Sequence, residues 1–154
     1  MALSPLSVIG GEQHDLQIQY SLNKGQWWLA VNGVWVGYYP GSLFTKGSNS
    51  PSDTLETLSD SVAWYGEIAQ SEDALTTTDM GSGRFAADGK GYAAYIRNIR
   101  TTDTSGNVFD YDGTRGASVS DSKRYTMSTH FRSGESWGSY IYLGGPGAGG
   151  VTGG

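Results

Sequence analysis

The 154-residue sequence contains no cysteine and only two histidines, His14 and His130. Without cysteine there is no disulfide and no thiolate nucleophile. Two isolated histidines cannot complete a closed zinc site, which takes four ligands. The composition therefore predicts neither a bound metal nor a cofactor.

Three aspartates that follow one another closely, Asp103, Asp110 and Asp112, offer the oxygen ligands that calcium prefers. The spacing of an EF-hand loop and its terminal glutamate are absent from this stretch. We therefore interpret the stretch as solvated loops and keep a calcium site as the alternative.

Basic side chains are also scarce, since 10 Lys and Arg stand against 15 Asp and Glu, and the net charge is −5. Nucleic acids and anionic membranes attract basic surfaces, so we expect neither as a partner. No apolar run approaches the roughly 20 residues of a membrane-spanning helix. Residues 1–10 lack the basic and apolar regions of a signal peptide.

Long helical periodicity is missing too, whereas glycine and aromatic residues are abundant, with 24 Gly, 10 Tyr and 5 Trp. Aromatic residues favour pleated strands, and glycine favours the turns between them. Alternating residues and the Asn32-Gly33 turn predict a three-strand meander. Its strands are expected at residues 15–22, 26–31 and 34–39, with one helical turn at 40–44. Later strands are expected at 61–70, 92–102, from 108, 124–131 and 137–143.

This pattern predicts an all-β protein, namely an antiparallel β-sandwich or half of a full double-sheet domain. One such domain would span residues 1–147. The glycine-rich residues 148–154 would then form a disordered tail.

One acidic side chain, Glu67, lies inside an aromatic predicted strand with the sequence Trp64-Tyr65-Gly66-Glu67-Ile68. Strand alternation divides the segment into two faces, one with Val62, Trp64, Gly66 and Ile68 and the other with Ala63, Tyr65, Glu67 and Ala69. The first set is typical of core, and the second suits the floor of a half-dry cleft, where a carboxyl group can perform acid–base chemistry. An ordinary exposed glutamate is the alternative.

Hydrolysis at mild acid can use two carboxyl groups, one activating water and the other donating a proton. Glu67 could be one of them, and Glu12, Asp79 and Glu135 are the other candidates, each beside turn residues. Serine-hydrolase chemistry is disfavoured because neither histidine accompanies a Gly-x-Ser-x-Gly elbow.

Aromatic side chains on the meander could bind a peptide or a sugar. Trp27 and Trp28 are adjacent, so they must face opposite sides of their strand. Trp35 and Tyr38 are further candidates for exposed stacking. For any one of these residues, core packing or cross-strand pairing is the alternative.

Several blocks of the sequence, in one order, resemble the C-terminal half of the neprosin domain. They are Gln26-Trp27-Trp28-Leu29, Val36-Gly37-Tyr38-Tyr39-Pro40 with Leu43-Phe44, Trp64-Tyr65-Gly66-Glu67-Ile68, residues 76–85, residues 94–99 and residues 140–147. The order and spacing agree over residues 7–147, which is almost the entire chain.

The resemblance implies an antiparallel β-sandwich and a secreted, acid-active glutamic endopeptidase that favours proline-containing peptides. Two glutamates act as a pair in that family, and the one in its Trp-Gly-Gly-Glu block corresponds to Glu67. Its partner belongs to an Ile-Glu-Ala-Gly-Trp-like block that this sequence does not contain. Tyr65 stands for a glycine of the family pattern and Asp79 for a glutamine. We predict that Tyr65, Asp79, Trp35 and Tyr38 bind substrate.

Two hypotheses follow. In the first, the chain is the C-terminal half of a neprosin-like peptidase, with Glu67 catalytic and the N-terminal half required for full activity. In the second, it is an inactive β-sandwich module that binds peptide or glycan through surface aromatics. A half-sandwich would expose apolar faces and strand edges, so we expect an N-terminal half or a second copy to cover them.

Overall fold

The computed structural model describes residues 4–47, 49–50 and 54–150. Besides two 3₁₀ turns at Ala86–Asp88 and Gly147–Gly149, the chain forms eight strands and one short α-helix in these ranges. In chain order they are β1 (Ile18–Asn23), β2 (Gln26–Val31), β3 (Val34–Pro40), α1 (Ser42–Thr45), β4 (Ala94–Ile96), β5 (Arg100–Thr102), β6 (Val108–Asp110), β7 (Thr126–His130) and β8 (Tyr140–Gly144). All strand pairs are antiparallel, so the predicted all-β antiparallel class is confirmed.

The chain divides into two compact units, one made of residues 14–63 and the other of the residues on either side of that range. The prediction of a single sandwich domain over residues 1–147 stays a prediction. No helix among the described residues is long and apolar enough to cross a membrane.

The unit at 14–63 contains the predicted meander, with strand order β1-β2-β3. The turn between β2 and β3 has Asn32 at φ +49° and Gly33 at φ +77°. Two positive φ values are what a tight hairpin turn requires, and Asn-Gly supplies them at low cost. A bulge between Leu29 and Ala30 shifts the register of β2 on β3. The strand predicted at 26–31 has these bounds in the structure.

The other unit is built on a sheet with strand order β4-β8-β7, so that β8 lies in the centre. Ile141 and Leu143 of β8 are buried on one face of this sheet, and Ile99 joins them. Half-buried apolar side chains pack against this cluster; they are Trp64, Met80, Ile96, Tyr111, Met127 and Phe131. This cluster is the hydrophobic core of the unit.

The long strand predicted at 92–102 is wrong, because the chain turns in the middle. Asn98 adopts φ +52°, and the strand is divided there into β4 and β5. Asparagine tolerates this left-handed conformation better than most residues. After the turn, β5 pairs with β6 instead of continuing along β8.

The strand predicted at 61–70 is also wrong, since this segment joins none of the sheets formed by the described residues. Its apolar side chains alternate as a strand requires, but its backbone forms no ladder with the described strands. Alternation reports where side chains are buried and does not supply a pairing partner. The strands predicted at 124–131 and 137–143 correspond to the shorter β7 and β8.

The start of the predicted disordered tail coincides with a 3₁₀ turn at Gly147–Gly149. The Ala148 N–H donates to the Thr76 carbonyl at 2.9 Å, so the backbone is held at this point. Residues 151–154 of the predicted tail lie outside the described residues.

Candidate active site around Glu67

Trp64 anchors the segment that carries Glu67. Its ring centroid lies 5.0 Å from that of Tyr111, and the Tyr111 ring packs edge-on against Phe131 at 5.2 Å. Such aromatic pairs add to the stabilisation that burial alone provides. The indole of Trp64 therefore ties this segment to the core of its unit.

Gly66 brings the same segment closer to the core than another residue would allow. A β-carbon at position 66 would lie 2.8 Å from Met80 Sδ and 3.3 Å from Leu143 Cδ1. Both distances are shorter than the roughly 3.5–4.0 Å of ordinary carbon contacts. Gly66 therefore faces the core, on the side where β8 presents Leu143.

Tyr65 and Glu67 face away from the core as a result. The Tyr65 side chain is 65% exposed, and Glu67 is also exposed. The expected division of faces therefore holds for residues 64–68. Val62, which was expected in the core, is exposed instead.

The surroundings of Glu67 differ from the half-dry cleft that we expected. Glu67 is exposed, and within the described ranges no side chain forms a hydrogen bond or ion pair with its carboxylate. The physical reason is that no described strand pairs with this segment, so no neighbouring strand places side chains beside Glu67. The carboxylate can therefore accept protons and hydrogen bonds from a ligand or from another polypeptide.

Asp79 precedes Met80, the residue whose side chain meets Gly66. The Met80 N–H donates to the Gly145 carbonyl at 2.9 Å, which attaches this stretch to the end of β8. The Asp79 carboxyl carbon would be 2.7 Å from a β-carbon at position 83, so Gly83 makes room for this side chain. Met80 thus brings the segments of Asp79 and Glu67 together in one unit.

Trp35 and Tyr38 lie in the other unit, at 14–63, and the structure brings them together around Trp28. The ring centroid of Trp28 is 6.3 Å from that of Trp35 and 4.9 Å from that of Tyr38. Trp35 and Tyr38 are each about half exposed. These three rings form an aromatic surface on β2 and β3, which we call the meander aromatics.

The three aspartates considered for calcium have separate structural roles. Asp103 accepts hydrogen bonds from its own turn, and the side chain of Asn107 lowers the pKa of its carboxyl. Asp110 pairs with Arg100 at 2.9 Å, and Asp112 lies 3.3 Å from the Arg132 guanidinium. In the described part of the chain, no three potential metal ligands form a cluster.

A second group of polar and aromatic side chains lies together in the structure, and only Glu135 among them was a candidate from the sequence. A cavity of about 160 Å³ is lined by Lys90, Glu135, Ser136, Trp137, Tyr140 and Tyr142. Burial, followed by the nearby Glu135 carboxylate, raises the pKa of the Tyr140 hydroxyl. The spacing Trp137-x-x-Tyr140-x-Tyr142 was the available signal, because Tyr140 and Tyr142 must share one face of a strand.

All of these features lie in a part of the chain that matches one protein family. The model of the Neprosin family matches residues 1–146 of the chain. This range includes Glu67, Tyr65, Asp79 and the meander aromatics. It also includes every residue that lines the cavity beside Trp137.

Proposed function

The chain belongs to the neprosin family, and from this premise we propose that it contributes the Glu67 carboxylate to a peptidase site. The proposed reaction is hydrolysis of proline-containing peptides at acid pH. The observation that supports it is the packing of Trp64 and Gly66 on the core. This packing turns Glu67 outward, toward any bound substrate.

In the proposed reaction two carboxyl groups divide the work. The ionised carboxylate accepts a proton from water while the water oxygen attacks the scissile carbonyl carbon. The protonated carboxyl group donates its proton to the leaving nitrogen as the carbon–nitrogen bond breaks. Glu67 is one of the two groups. Such a pair works at mild acid because two neighbouring carboxyls do not both ionise readily.

The second carboxyl group must lie within about 4–6 Å of Glu67 for the two charges to influence one another strongly. The described residues give Glu67 no hydrogen-bonded or ion-paired neighbour. We therefore propose that the partner comes from a neprosin N-terminal half with the Ile-Glu-Ala-Gly-Trp-like block. On this basis the 154-residue chain alone cleaves peptide slowly, and addition of that half raises the rate.

The test measures cleavage of a fluorogenic proline-containing peptide at about pH 3–5, with and without a neprosin N-terminal half. Removal of a general acid or base costs about 100-fold to 10,000-fold in rate, and we expect this loss for Glu67→Gln. Glu72→Gln is the matched control, because Glu72 is exposed and lies five residues away. Equal rates for wild type and Glu67→Gln would remove Glu67 from catalysis.

A second candidate function is binding without cleavage, and the meander aromatics favour it. Trp35 and Tyr38 are half exposed beside Trp28, which leaves ring surface for a peptide or glycan. The same peptide distinguishes the two candidates. Binding that is weakened by Trp35→Ala, with no cleavage even when the N-terminal half is present, would support the binding module.

Substrate contacts by Tyr65 and Asp79 remain part of the proposal. Tyr65 is exposed on the same face as Glu67, so it is suited to pack against substrate near the reacting carboxylate. Tyr65→Ala should raise KM, whereas Asp79→Asn tests whether an amide, as in the family pattern, improves turnover. Unchanged KM in Tyr65→Ala would exclude it from substrate binding.

We also propose that another polypeptide covers the apolar side chains of the meander. Ile18, Tyr20 and Val34 are each more than half exposed, and exposed apolar strands favour association. A second copy would give a mass of twice 16.4 kDa in light scattering, and the N-terminal half would give a heterodimer. A monomer under both conditions would contradict this proposal. Secretion is proposed on the family relationship, and its test is recovery of the protein from the culture medium of its source.

A further inference from the structure

The sheet that supports the Glu67 segment has a second, aromatic face. Ile141 and Leu143 point into the core, so Tyr140 and Tyr142 point to the opposite side of β8. Tyr95 of β4 is paired with Tyr142, and His130 of β7 is paired with Tyr140. One face of this sheet is therefore occupied by the core and the other by a row of rings.

Trp137 completes a cavity at one end of this row. Its ring centroid lies 5.4 Å from that of Tyr140, at an interplanar angle of 82°, and 6.1 Å from that of Tyr142. The His130 ring stacks on Tyr140 at 4.5 Å and supports it from the side. The cavity measures about 160 Å³, well below the roughly 300–1,000 Å³ of pockets for drug-sized ligands. It has room for one ring and not for a folded segment.

Charges of both signs line the cavity. Lys90 Nζ lies 5.4 Å from the centre of the Trp137 ring, and Arg97 Cζ lies 5.5 Å from it. On the acidic side, the Tyr140 hydroxyl donates to Glu135 Oε2 at 3.2 Å. A cationic ligand would compete with two cations already placed at the indole. An anionic ligand would approach the Glu135 carboxylate, so both charged classes are disfavoured.

We propose that this cavity binds a neutral sugar residue. The ammonium of Lys90 can only donate hydrogen bonds, and the ionised carboxylate of Glu135 can only accept them. A sugar hydroxyl can do both, so neighbouring hydroxyls of one ring can satisfy both groups. The C–H groups of a sugar ring carry a small positive charge and can pack against the aromatic ring atoms of Trp137, Tyr140 and Tyr142 that line the cavity.

This site is separate from the proposed peptidase site. Gly66 meets Leu143 on the core face of β8, whereas Tyr140 and Tyr142 lie on the other face. The sugar site therefore does not depend on the proposed peptidase function. A variant at Glu67 should leave sugar binding unchanged, and a variant at Lys90 should leave Glu67-dependent cleavage unchanged.

The experiment uses the full chain and a panel of methyl glycosides of glucose, galactose, mannose, xylose and N-acetylglucosamine. Binding is measured by saturation-transfer NMR, with tetramethylammonium and glucuronate as cationic and anionic comparison ligands. At least one neutral glycoside should bind with a dissociation constant in the millimolar range, about 1–10 mM. Neither charged ligand should bind as tightly.

Two exposed polar residues supply variants that keep the core intact. Glu135→Ala and Lys90→Met should each weaken the affinity about tenfold, because each removes hydrogen bonds to a charged group. Trp137→Phe should weaken it as well, with circular dichroism to check the fold. Glu72→Ala is the matched control for Glu135→Ala, because Glu72 is also an exposed glutamate and does not line the cavity; it should not change the affinity.

Three results would overturn the proposal. The first is the absence of binding by every neutral glycoside up to about 50 mM. The second is tighter binding of tetramethylammonium or glucuronate than of any glycoside. The third is unchanged glycoside affinity in both Glu135→Ala and Lys90→Met, since binding would then occur elsewhere on the chain.

Discussion

Replacement of Gly66 by alanine tests whether the Glu67 segment is held by close packing on the core. The added β-carbon would lie 2.8 Å from Met80 Sδ and 3.3 Å from Leu143 Cδ1. Overpacking of a core by one methyl group typically costs about 1–3 kcal/mol. The flexible thioether of Met80 can yield, and alanine restricts the unfolded chain, which returns about 0.4–1 kcal/mol. We therefore expect a net destabilisation of about 1–2 kcal/mol.

The assay is urea unfolding, supported by thermal melting. For a chain of this length each kcal/mol lowers the melting temperature by about 2–4 °C, so the expected decrease is about 2–8 °C. Gly37→Ala is the matched control, because Gly37 lies on β3 with no atom near its missing β-carbon. This control should change stability by less than about 0.5 kcal/mol.

A double-mutant cycle makes the test specific to the contact. In a Met80→Ala background the sulfur is absent, so Gly66→Ala should become neutral or slightly stabilising. The resulting coupling energy should be about 1–2 kcal/mol, within the range of residues in direct contact. An equal cost of Gly66→Ala in both backgrounds would refute the contact, and so would wild-type stability of the single variant.

Further predictions concern titration and the turn after β4. The Arg124 side chain lowers the pKa of the Asp121 carboxyl by hydrogen bonding. The pair therefore stabilises the fold at pH values above the pKa of aspartate in the unfolded chain, about 3.9, and this stabilisation is lost as the pH falls below that value. Thermal melts from neutral pH downward should show a shallower acid loss in Asp121→Asn, and an unchanged slope would contradict the pair. Burial raises the pKa values of the Tyr140 and Tyr142 hydroxyls, so their contribution to the stability of the fold is present below about pH 10 and is lost as the pH rises further. In ultraviolet titration at high pH, Tyr140→Phe should remove a phenol that ionises late, and loss of an early-ionising phenol would contradict this assignment. Asn98 has φ +52°, so Asn98→Val should cost about 1–2 kcal/mol in urea unfolding while Asn98→Gly should be nearly neutral, and equal costs would contradict strain at this turn.

Local signals predicted the meander well because its information is contained in adjacent residues. The Asn32-Gly33 turn fixes where β2 ends and β3 begins, and alternation sets which side chains share a face. The bounds of β2 were therefore predicted residue by residue. The outward orientation of Glu67 followed from the same alternation.

Long-range pairing was the part that the sequence could not provide. The segment around Glu67 has strand alternation, yet no described strand pairs with it, because pairing depends on a distant partner. The break at Asn98 depends on a single residue in a left-handed conformation. The cavity beside Trp137 needs Lys90 and Tyr142, which are 52 residues apart in the sequence and meet only through the β4–β8 pairing.

The central claim, that Glu67 is a catalytic carboxylate of a neprosin-family peptidase, is tested most directly by turnover and binding measured on one peptide. With the N-terminal half present at about pH 4, Glu67→Gln should retain the wild-type Kd for a proline-containing peptide and lose at least about 100-fold in kcat. An unchanged kcat in Glu67→Gln would contradict the claim.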